Sequence, residues 1–131
     1  MVDVPIPLMA TRRLVIAANL AYAVALLILG LLPAIPEAVA GVSDHVAHAA
    51  ASAGQTVLLY GLFLSSGGRG RSAILAASAA VLYGVCVEML QSLQPARTVE
   101  MADLVANTVG ACATMFTLYL VTGVLPKDVT R

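Results

Sequence analysis

The chain has 131 residues, 60% of them apolar and 11% charged, with seven basic and seven acidic side chains and a formal net charge of zero. Its mean hydropathy is +0.95. A soluble domain of this size has to cover itself with more charge, and a nucleic-acid binder needs a basic face, so composition points to a membrane protein with no nucleic-acid partner.

The length suits a single domain over residues 1–131. A helix needs about 20 mostly apolar residues to cross about 30 Å of hydrocarbon. Residues 14–36 are uncharged, follow Arg12 and Arg13, and predict a first span over about 14–33. Ala38-Val39-Ala40 has the small-x-small form of a signal cleavage site. The apolar stretch is longer than the roughly 7–15 residues of a signal, which favours a retained span. Ala17, Ala21 and Ala25 recur at every fourth position, a spacing that lets helices approach closely. Asn19 within this span, and Gln55 in the next, read as hydrogen-bonding groups between helices.

Pro33 and Pro36 break the first helix. A second span is expected over about 45–64 and opens with Asp44, His45 and His48 as D-H-x-x-H. Residues four apart share a helical face, so Asp44 and His48 point the same way. Residues 65–70, SSGGRG, read as a flexible turn too short to cradle a phosphate.

The third uncharged run, residues 72–87, reaches spanning length only if Glu88 and Gln91 lie in its last turns, giving a span over about 72–93. Ala76, Ala77, Ala79 and Ala80 crowd it with small side chains. Glu88 then lies roughly 7–8 Å inside the span at 1.5 Å per residue. A carboxylate at that depth needs a partner, and His48 and Arg97 are the candidates.

After the turn at Gln94 and Pro95 come Arg97 and Glu100. The fourth span, about 103–124, opens with Asp103; Asn107 follows one turn later, then Gly110, with Thr114 four residues on. An acid at a helix start suits the helix dipole and can cap it. Capping accounts for Asp44 and Asp103 but not for Asn107. Cys86 and Cys112 lie inside apolar runs and read as small hydrophobes rather than a disulfide or metal pair.

These elements predict an all-α integral membrane protein, a bundle of four transmembrane helices with both termini in the cytoplasm. The cytoplasmic segments then carry Arg12, Arg13, Arg69, Arg71, Lys127 and Arg131, whereas the outer loops carry only Arg97. Glu37, Asp44, Glu88, Glu100 and Asp103 fall at the outer end. In antiparallel neighbours the start of span two, the end of span three and the start of span four meet there. Asp44, His45, His48, Glu88, Gln91, Arg97, Asp103 and Asn107 are therefore the candidate ligand-binding residues.

At these residues the chain resembles the VanZ-like family, bacterial membrane proteins named after a teicoplanin resistance factor. The segments that carry the resemblance are Asp44-His45-Val46-Ala47-His48, Glu88-Met89-Leu90-Gln91, Pro95-Ala96-Arg97, and Asp103 with Asn107 and Gly110. Together they cover about residues 44–110, and their order and placement at span ends make the match specific. His45 stands where the family usually has lysine, Ala96 where it has glycine, and Ser52 where an aromatic is common. Glu100 adds an acid to a loop that is usually apolar or hydroxylated.

The resemblance implies a multi-pass protein of the bacterial cytoplasmic membrane, acting at the cell envelope and lowering susceptibility to teicoplanin-type lipoglycopeptides. Three functions stay open. The first is an outward-facing pocket that binds a lipid head group, a lipid-linked cell-wall precursor or a lipoglycopeptide, with Arg97 on the anionic part and Glu88, Gln91 and Asn107 orienting it. The second is a membrane-embedded hydrolase or transferase acting on a lipid-linked or phosphorylated substrate, with His48 as base or nucleophile and Glu88 orienting it. The third is a scaffold in which the polar groups lock the helices together. No cofactor fingerprint or nucleophile elbow is present, and no cofactor is expected. Asp44, His45, His48, Glu88 and Asp103 offer donors for a divalent ion. D-H-x-x-H is not a settled zinc signature, however, and residues 44 and 45 point roughly 100° apart on a helix, so no metal is expected.

Overall fold

The computed structural model describes residues 6–32, 43–64, 68–94 and 100–124. Four helices follow one another: α1 (Ile6–Leu31), α2 (Asp44–Phe63), α3 (Arg69–Gln91) and α4 (Met101–Val124). No strand occurs among the described residues.

Side-chain contacts set the topology. Ser72 of α3 donates to the Phe63 carbonyl of α2, and Arg69 donates to the Thr122 carbonyl of α4 at 2.6 Å. At the opposite end, Gln91 donates to the Gly30 carbonyl at 2.7 Å and Gln94 to that of Leu31 at 2.9 Å. His45 meets Asp103 at the same end. The four helices therefore run up, down, up and down, with the ends of α1 and α3 beside the starts of α2 and α4. α2 packs against all three others, and α1 packs against α2 and α3.

Three helices are long and apolar enough to cross a membrane, over Thr11–Leu31, Arg69–Gln91 and Met101–Thr122. α2 is not a clear span by length and composition, so three of the four expected spans are shown. Its 20 residues reach about 30 Å at 1.5 Å per residue, so length is not the obstacle. Asp44, His45, His48, Ser52, Gln55 and Thr56 dilute its apolar content. The helix tolerates them because Ser52, Gln55, Thr56 and Tyr60 are buried against its neighbours.

The interior reverses the pattern of a water-soluble core. Its buried apolar residues are mostly alanines (Ala73, Ala76, Ala77, Ala80 and Ala111), and the largest fully buried side chains are Thr56 and Ser72. Large apolar side chains point outward, Leu14 at 70% exposure and Phe116 at 61%. Water would penalise such a surface, whereas acyl chains match it, and small residues let backbones pack where lipid supplies no hydrophobic drive. The alanines of α3 behave as their spacing suggests. The Ala17, Ala21 and Ala25 stripe does not: all three are exposed, so α1 presents it outward and docks through other residues.

Asn19 is one of those docking residues, donating to the Val15 carbonyl at 3.1 Å and to that of Leu58 in α2 at 2.9 Å. Gln55 in turn reaches the Asn19 Oδ1 at 3.5 Å. Tyr22 donates to the Ala51 carbonyl at 3.2 Å, and Tyr83 of α3 donates to the Ala23 carbonyl. A β-carbon at Gly54 would collide with the Tyr22 hydroxyl, so glycine there makes room for the tyrosine. Each of these bonds satisfies a polar side chain that lipid would leave bare. Thr108, Thr117 and Thr122 solve the same problem within α4, bonding to the carbonyl four residues earlier.

Candidate functional site

The site is built where the first turns of α2 and α4 meet the last turns of α3. Asp44, His45 and His48 come from α2, Glu88 from α3, and Asp103 and Asn107 from α4. Two close approaches make the convergence possible. Gly110 lies against the backbone of Ala49, where an added β-carbon would overlap the Ala49 carbonyl oxygen. Gly84 faces Asn107, whose Nδ2 would lie 2.8 Å from a β-carbon there. Glycine at these two positions brings α4 against both α2 and α3, and so sets the Asp103 and Asn107 side chains beside His48.

His48 is the centre of the cluster. Its Nε2 lies 3.6 Å from Asp103 Oδ2, 3.7 Å from Glu88 Oε1 and 3.9 Å from Asp44 Oδ1. Its Nδ1 lies 3.5 Å from the Asn107 amide nitrogen. All four separations exceed the 2.7–3.2 Å of an ordinary hydrogen bond, so the imidazole is surrounded rather than clamped. Glu88 is 3% exposed, and its Oε1 has no hydrogen-bond partner among the described residues. A buried polar atom without a partner is rare, because it forfeits its hydration without compensation.

Asp103 does more than stand at a helix start. His45 Nδ1 donates to its Oδ1 at 2.8 Å, a hydrogen bond from the first turn of α2 to the α4 carboxylate. That bond raises the pKa of His45, which is exposed and outside the three apolar spans; partial desolvation opposes the shift, and the charge of Asp103 assists it. The histidine thus supplies charge-compensating chemistry where the resemblance leads one to expect lysine.

The remaining candidates divide. Gln91 is buried but turns toward the end of α1, and with Gln94 it holds the last carbonyls of that helix. Arg97 lies outside the described residues, as do Pro95, Ala96, Glu37, Ala38-Val39-Ala40, Lys127 and Arg131. Cys86 and Cys112 are free and exposed on the outward face. Donor atoms of Asp44, His48 and Asp103 lie within 4.8 Å of one another, the spacing of a group able to hold a metal ion. Motif reading missed Gly84 and Gln94. A glycine inside an alanine-rich helix was the available signal for Gly84; Gln94 looked like part of a turn.

An all-helical chain with outward-facing apolar surfaces, three membrane-spanning helices and a buried polar cluster at one end is a polytopic membrane protein. The sequence pattern that defines the VanZ/LLP1 family matches residues 8–122. The chain belongs to that family. No curated protein and no solved structure gives a significant match.

Proposed function

We propose that this chain is a cell-envelope protein of the bacterial cytoplasmic membrane that binds the head group of a lipid or a lipid-anchored ligand at the outer end of its bundle. The observation that carries the proposal is Glu88: a carboxylate buried within a membrane span, with one oxygen unpartnered among the described residues and a histidine 3.7 Å away. An ionisable group at that depth persists when it serves a ligand or a relay. Asp103 and Asn107 are buried beside it, whereas Asp44 and His45 are exposed and open the cluster to the surface. Arg97 takes the anionic part of the ligand, because a guanidinium matches phosphate and carboxylate oxygens in pairs.

In this reading α2 crosses beside the other three helices, its polar side chains turned inward and Asp44 and His45 outside the hydrocarbon. Both termini are cytoplasmic, placing Arg12, Arg13, Arg69, Arg71, Lys127 and Arg131 inside. Family membership supports an envelope role of the kind implied by the name, with lowered susceptibility to teicoplanin. The test is teicoplanin susceptibility, with vancomycin as control, in a sensitive bacterium expressing the native chain or Glu88→Ala at equal membrane abundance. Tolerance that the native chain raises and Glu88→Ala does not supports the proposal. No change with either form, despite good expression, removes the resistance role.

A second reading is a membrane-embedded hydrolase or transferase, favoured by the position of His48 between the buried carboxylates of Glu88 and Asp103. A histidine flanked by a carboxylate is the usual arrangement for a general base. Glu88→Gln separates the two readings: it keeps the shape of a binding site but removes the charge that would orient a base.

A further inference from the structure

We infer that Asp44, His48, Asp103 and Glu88 form a binding site for one divalent transition-metal ion of the zinc or manganese type. The inference rests on the head-group reading of the same cluster and deepens it, since a divalent ion cancels most of the carboxylate charge that would otherwise repel an anionic head group.

Three observations carry it. First, donor atoms of Asp44, His48 and Asp103 all lie within 4.8 Å of one another, although the three residues come from two helices. Donors held 2.0–2.2 Å from a tetrahedral ion sit about 3.3–3.6 Å apart. The His48 Nε2 separations of 3.6, 3.7 and 3.9 Å are at or slightly above that edge length, and all are too long for hydrogen bonds. Second, the Glu88 side chain is 4% exposed, and its unpartnered Oε1 faces His48 Nε2 from a third helix. It is a fourth donor, and the third oxygen, facing the histidine of the group. Third, two buried carboxylates, Glu88 and Asp103, both approach the same His48 Nε2, at 3.7 and 3.6 Å. Like charges so placed repel in a low-dielectric interior, and a divalent ion between them removes the repulsion.

The donor set selects the ion. One imidazole nitrogen with three carboxylate oxygens suits zinc or manganese, whereas magnesium and calcium prefer oxygen alone. Asn107 completes the arrangement from behind. Its amide lies 3.5 Å from His48 Nδ1, and turning the amide over presents Oδ1 to an Nδ1–H while Nε2 faces the ion. The spacing of D-H-x-x-H alone does not reveal this site, because the second aspartate and the glutamate arrive from other helices.

The test uses the full chain, purified in detergent, treated with chelator, and carrying Cys86→Ser and Cys112→Ser so that thiols bind nothing. Zinc chloride and manganese chloride are titrated by calorimetry, magnesium chloride serves as control, and metal content is measured after desalting. One zinc or manganese ion per chain, with no uptake of magnesium, is expected. Asp44→Asn is expected to weaken binding about 10-fold or more, and His48→Ala to abolish it. Asp44 is exposed, so Asp44→Asn reports on the site even where a buried variant fails to fold. No stoichiometric uptake by the native chain, or uptake that Asp44→Asn leaves unchanged, overturns the inference. Lipid retained by a chain that takes up neither ion overturns the metal site and leaves the head-group reading standing.

Discussion

Gly110 of α4 lies so close to Ala49 of α2 that an added β-carbon would sit 2.8 Å from the Ala49 carbonyl carbon and overlap its oxygen. The obstruction is backbone, which cannot rotate aside as a side chain does. Gly110→Ala therefore has to separate the two helices that carry Asp103 and His48. Overpacking of this kind costs about 1–3 kcal/mol. The thermal unfolding midpoint in detergent is expected to fall, with loss of whatever ligand the native chain retains. An unchanged midpoint would mean that the helices part freely at this point.

The His45–Asp103 bond makes part of the stability depend on pH. The pKa of His45 is raised in the folded chain by its hydrogen bond to Asp103. Its contribution is therefore fully present below the ordinary histidine value of about 6.5 and disappears as pH rises through the higher folded value. Thermal midpoints recorded from about pH 5 to pH 9 should fall over that window in the native chain. His45→Ala should flatten this component of the profile. A midpoint that rises through the same window would contradict the assignment.

Gln91 separates positioning from binding. Its Nε2 donates to the Gly30 carbonyl at 2.7 Å, so the side chain ties α3 to the end of α1. Gln91→Ala is expected to lower stability by about 1 kcal/mol, the usual net value of one hydrogen bond. Ligand retention by the folded fraction should stay within about twofold of the native chain, far less than the tenfold that 1.4 kcal/mol of direct contact would give. A large loss of retention at unchanged stability would place Gln91 in direct contact with the ligand.

Several of these relationships were legible in the sequence because they depend on spacing within one helix. The i,i+4 pairing of Asp44 with His48, the depth of Glu88 within α3 and the placement of Asn107 one turn after Asp103 all follow from helical geometry. The direction in which Gln91 turns does not, since it depends on which neighbour occupies the flank of α3, and that neighbour is α1. The outward orientation of Ala17, Ala21 and Ala25 was hidden for a related reason. In a chain so rich in alanine, small residues at helical spacing occur on lipid-facing and packed faces alike. The polar character of α2 was visible, but its meaning was not: polarity in a central helix is sheltered by three neighbours, and the sequence does not state which helix is central.

The most direct measurement for the head-group reading is native mass spectrometry of the chain released from detergent, comparing the native form with Glu88→Ala and Asn107→Ala. The native chain is predicted to retain a lipid or lipid-linked molecule at one copy per chain, with retention falling about tenfold or more in each variant, as expected when about 1.4 kcal/mol or more of contact is lost. Equal retention by all three folded forms would show that bound lipid sits elsewhere on the bundle, and the polar end of the helices would then not be its binding site.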